Sequence, residues 1–130
     1  MNVERLDPRA VERVSGPSWD GLRDNFFTVS QALLDVSPNT ESELTTIYVK
    51  YRTISGALGK VFAVVWLKKS TELVVGFALP ESIQEESLGA APSGMNYPWL
   101  TAYLKIHPGD AVPASIHDWS KAAFDHVLGA

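Results

Sequence analysis

The side chains best suited to acid–base or metal chemistry in this 130-residue sequence are three histidines, His107, His117 and His126. His117 and His126 fall on one C-terminal helix, nine positions apart. That spacing turns them about 180° away from each other, so one metal ion cannot take both. His107 follows an apolar–polar alternating stretch, two positions after Lys105. Such a pair could serve acid–base chemistry only inside a pocket that holds a second titratable group. No HExxH, EF-hand, zinc or phosphate-loop spacing occurs. Gly56-Ala57-Leu58-Gly59-Lys60 has the residue types of a phosphate loop. It lacks the full spacing and joins two strand-like segments rather than a strand and a helix. Glu85-Glu86 reads as solvated charge in a loop, and Ser93-Gly94 lacks the strand–turn–helix setting of a nucleophile elbow. With no cysteine, thiolate metal sites, disulfides and a Cys nucleophile are excluded. The patterns predict no catalytic residue, no metal ligand and no cofactor. Trp66, Trp99 and Trp119 are expected as core anchors.

The elements that must carry these residues follow from periodicity and punctuation. Asp7-Pro8 suits the start of a short helix ending near Ser15-Gly16-Pro17. A longer helix is expected from the candidate N-cap Ser18. Its apolar stripe is Trp19, Leu22, Phe26, Val29 and Leu33. Residues 37–44 read as polar and turn-like. Strands are expected at Thr46–Arg52, Val61–Leu67, Glu72–Leu79 and Trp99–Ile106, each alternating or continuously apolar. The stretch 81–98 reads as a long loop with a helical turn near Ser82–Ser87. A last helix runs from about Ile116 to Leu128. The predicted architecture is a single α+β domain over residues 1–130, in the order α-α-β-β-β-β-α. Its four-stranded antiparallel sheet has helices before and after it, packed mainly on one face.

A short hairpin at Lys68–Thr71 would set Lys69 opposite Glu72, Trp66 opposite Val75 and Val64 opposite Phe77. One face would then be bulky, with Phe62, Val64, Trp66, Val75 and Phe77, and would receive the helices. The other would have a small apolar floor of Val61, Ala63, Val65, Leu67, Val74, Gly76 and Ala78. Tyr48, Lys50, Arg52, Tyr103 and Lys105 would rim it. An apolar floor with an aromatic and cationic rim is a candidate face for a ligand or partner. Burial of that floor as ordinary core is the competing expectation.

Charge and hydropathy bound the rest. The chain carries a net charge of −4, which disfavours a dedicated nucleic-acid binder. Residues 44–79 nevertheless hold Lys50, Arg52, Lys60, Lys68 and Lys69 against Glu72 alone. Lysines that protect strand edges explain such a surplus without any function. No run of about 18 apolar residues exists to span a membrane, and the N-terminal residues lack a signal-peptide core. A cytoplasmic location is the expectation.

The segments TIYVKYR, VFAVVWLKKSTELVVGFALP and LTAYLKIHPGDAVPASIHDWSKAAFDHV resemble a bacterial and archaeal family of small domains of unknown function. Phe62-Ala63, Lys68-Lys69 and Leu79-Pro80 match its motifs in order, over roughly residues 22–128. Arg52 and Lys105 fall where the family often has basic residues. The chain departs from the pattern before Trp99, where a basic, His-containing run is missing, and at Ala122-Ala123-Phe124, where an Ala-Tyr pair is usual. The resemblance implies a small α+β domain found alone or beside nuclease-like domains. Gly59-Lys60-Val61-Phe62-Ala63 and Pro80-Glu81 are similar, over a shorter stretch, to the MmcQ/YjbR-like group.

The resulting expectation is a non-catalytic binding or accessory module. It would use the face bearing Tyr48, Lys50, Arg52, Gly76, Tyr103 and Lys105, with a small ligand, a protein or a second copy of the chain as partner. A nucleic-acid-associated domain is the first alternative. An enzyme with a scattered site, His107 beside Lys105, is the second.

Overall fold

The computed structural model describes residues 6–53, 60–80, 88–89 and 100–129. The order is α1 (Pro8–Arg13), a 3-10 turn (Pro17–Trp19), α2 (Arg23–Leu34), β1 (Thr40–Leu44), β2 (Tyr48–Thr53), β3 (Val61–Lys69), β4 (Glu72–Phe77), β5 (Ala102–Ile106) and α3 (Ile116–Gly129). The fold is α+β. Its sheet runs β1-β2-β3-β4-β5 with every neighbouring pair antiparallel. The Gly56–Gly59 stretch, Glu85-Glu86, Ser93-Gly94, Trp99 and the helical turn at 82–87 lie outside the described residues.

Among the described residues the sheet has five strands rather than the four expected, because residues 40–44 form an edge strand. Hydropathy hid it. Thr40 and Leu44 turn to the helix side, with Ser42 between them in the same phase, while Glu41 and Glu43 face the other way. That is a period of two written almost wholly in polar residues. The Thr40 hydroxyl donates to the carbonyls of Leu34 and Ser37, which fixes the entry into β1 from α2. Asp7 closes the outer edge of β1. Its carboxylate accepts the N–H of Leu44 at 2.7 Å, and its own N–H donates to the Ser42 hydroxyl at 2.8 Å. Arg9 donates to the Leu44 carbonyl at 3.0 Å. An edge strand whose outward groups are engaged in this way offers little for another strand to pair with.

The second helix starts at Arg23, later than the Ser18 cap predicts, because Pro17 initiates a 3-10 turn first. Arg23 then donates to the carbonyls of Val14, Ser15 and Gly16, the last of which also accepts the Trp19 N–H within the 3-10 turn. The helices share one face of the sheet, where Phe26, Leu33, Phe62 and Phe77 are fully or almost fully buried. Phe124 of α3 meets Phe62 edge-on at 5.5 Å, and Trp119 meets Phe77 at 6.1 Å. Each such side chain contributes roughly 1.5–3 kcal/mol of apolar transfer.

Two bulges correct the expected sheet faces. The pairing slips between Tyr51 and Arg52, so that Tyr51 faces Ala63 while Arg52 faces Val61. Phe62 and Ala63, though consecutive, therefore both join the helix-side core. A second slip lies between Trp66 and Lys69. Lys69 does face Glu72 as expected. Trp66, however, faces Val74 and Val64 faces Gly76, one residue off the expected register. Ala63, Val65 and Leu67 thus point to the helices, and Val64 and Trp66 to the opposite, outer face. A one-residue slip inverts a strand's two faces, and here two slips enclose the inverted stretch.

Candidate binding face

The outer face is organised in rows set by the register. Glu41, Arg52 and Val61 form one row. Glu43, Lys50, Val64, Gly76 and Tyr103 form the next. Tyr48, Trp66, Val74 and Lys105 form a third. All six residues singled out from sequence, Tyr48, Lys50, Arg52, Gly76, Tyr103 and Lys105, therefore share this face. They do so although the floor between them is not the predicted one.

The middle of the face is closed. Val64, Trp66, Val74, Leu100 and Tyr103 make a second, smaller apolar cluster, with Tyr48, Ile47 and Val61 packed around it. Trp66 is 2% exposed and Tyr103 3% exposed, so Tyr103 belongs to the floor rather than the rim. The ring centroids of Tyr48 and Trp66 lie 6.1 Å apart, and those of Trp66 and Tyr103 5.8 Å apart, giving a tilted aromatic row across β2, β3 and β5. Gly76 makes this possible. A Cβ on it would stand 3.0 Å from Leu100, 3.0 Å from Tyr103 and 3.1 Å from Trp66. The expected small-residue floor is thus filled by large side chains that converge on the one residue without a side chain. Behind Tyr103, Gly89 exchanges both backbone hydrogen bonds with it, at 2.8 and 3.0 Å.

The exposed part of the face is charged and largely paired. Arg52 donates from Nε to Glu41 at 2.6 Å, and its Nη2 lies 2.6 Å from the same oxygen. Lys50 Nζ lies 3.9 Å from Glu43, a looser contact. The side chains of Arg52 and Lys50 are 36% and 30% exposed, so water screens both pairs. Lys105, on the opposite side of the aromatic row, is exposed and has no ion pair among the described residues. Glu41 and Glu43 are absent from the expected rim because they belong to β1, the strand that hydropathy hides. The signal was present in the alternation of Thr40-Glu41-Ser42-Glu43-Leu44.

His107 stands at the end of this face. Its Nε2 is 3.3 Å from Glu72 and its Nδ1 is 3.5 Å from Asp110. Its backbone N–H also donates to Asp110 at 2.9 Å. The His107 side chain is 56% exposed and is held by carboxylates in a surface turn, with Gly109 at φ +92° permitting the turn. His117 and His126 are both exposed on α3. Among the described residues no group of three or more His, Cys, Asp or Glu side chains could hold a metal ion. No helix among them is long and apolar enough to cross a membrane. Trp119 is a core anchor as expected, whereas Trp66 anchors the outer cluster instead of the helix-side core.

Compared with family models, curated proteins and solved structures, the chain matches none.

Proposed function

We propose that this chain is a non-catalytic binding or accessory module that works through the outer face of its sheet. The observation that carries the reading is the division of labour between the two faces. The helices pack on one side, and the other side presents a buried aromatic row flanked by charge. The half-buried Lys50, Arg52 and Tyr48 and the exposed Lys105 are the groups on this face that a small ligand or a protein partner would meet, while the buried cluster of Val64, Trp66, Val74, Leu100 and Tyr103 beneath them fixes their spacing. The surface setting of His107 gives the enzyme reading little support: Glu72 and Asp110 stand beside it, but the side chain is solvent-exposed, whereas general acid–base work needs a water-excluding pocket.

The nucleic-acid reading uses the same cations. It draws less support, because Arg52 and Lys50 already face Glu41 and Glu43, which lowers the positive potential that phosphates would meet. The proposal is tested by native mass spectrometry of gently purified protein. A retained small molecule or a dimer, lost on substituting Lys50 and Lys105 together by Ala, supports it. A bare monomer that captures nothing from a panel of metabolites counts against it.

A further inference from the structure

We draw no further inference here: the strongest candidate, the Glu72–His107–Asp110 side-chain cluster between the start of β4 and the turn after β5, is an acidic cluster around one histidine, and nothing in the structure points to a ligand there.

Discussion

The hydroxyl of Tyr51, on the helix side of β2, lies 2.5 Å from the hydroxyl of Ser30 on α2, and both side chains are buried. This contact links β2 to the long helix through a polar bond inside a largely apolar layer. Burial pushes the Tyr51 phenol well above the ordinary tyrosine range, against the opposing pull of the Ser30 hydrogen bond. Removing either partner leaves the other unsatisfied, at a cost of about 1–3 kcal/mol, whereas removing both is milder. Tyr51→Phe and Ser30→Ala should therefore each lower stability, and the double variant should lose less than the sum of the two. Urea unfolding of the four proteins measures that coupling.

The same burial gives a pH dependence at the alkaline end. A group whose folded pKa is raised contributes stability that is intact below its unfolded value, ~10 for tyrosine, and declines above it. Wild-type stability should fall as pH rises past that point, because the unfolded chain gives up a proton that the fold retains. Tyr51→Phe should flatten this slope, read by denaturant unfolding across the alkaline range.

Asp7 acts at the acid end. The Arg9 guanidinium beside it, opposed in part by burial and helped by the N–H groups of Leu44 and Arg9, holds its carboxyl down at about 2. A depressed pKa contributes stability that is complete above the unfolded value, ~4 for aspartate, and is lost as pH falls from there towards 2. Asp7→Asn keeps one amide oxygen as an acceptor but loses the second, which the cap and the Leu44 edge bond need together, and loses the charge beside Arg9, so it should cost ~1 kcal/mol at neutral pH. It should also remove part of the acid sensitivity. Stability curves of wild type and variant between pH 2 and 7 decide the matter.

Gly76→Ala tests how the outer cluster closes. The new methyl would meet Leu100, Tyr103 and Trp66 at contact distances that force at least one of them to move. Overpacking of this kind costs about 1–3 kcal/mol. The indole resonance of Trp66 should shift on substitution, while that of Trp119 in the helix-side core should not. Two-dimensional NMR of the indole N–H groups separates the two.

Charge pairing on the rim yields a prediction about polyanions. Wild type should bind single-stranded DNA weakly or not at all at low salt. Glu41→Gln with Glu43→Gln, which frees Arg52 and Lys50, should raise that binding and give it a steep salt dependence. Fluorescence anisotropy with a labelled oligonucleotide measures both. Tight, salt-sensitive binding by the wild type would favour the nucleic-acid reading instead.

Much of this arrangement was legible in the residues, and the failures have physical causes. Helix α3, the strong apolar strands and the shared face of Tyr48, Lys50, Arg52, Gly76, Tyr103 and Lys105 follow from period-two and helical patterns. The faces of β3 did not, because VFAVVWL is apolar on both sides and so carries no phase information. Only backbone pairing reveals the bulges at Phe62-Ala63 and at Leu67-Lys68 that set its phase. Strand β1 escaped because two of its three inward positions are Thr40 and Ser42, whose hydroxyls are satisfied by hydrogen bonds rather than marked by hydrophobicity, leaving Leu44 as its one apolar inward residue. The surplus of cations in residues 44–79 looked unopposed for the same reason. Glu41 and Glu43, the partners of Arg52 and Lys50, lie just upstream in sequence and directly across the hairpin in space.

The most direct test of the central claim is a fragment screen by two-dimensional NMR on uniformly labelled protein, asking where small molecules bind. If the outer face is the binding face, shifts will concentrate at Tyr48, Lys50, Arg52, Gly76, Tyr103 and Lys105. Shifts that cluster on the helices α2 and α3, or a screen in which those six amides never move, would contradict it.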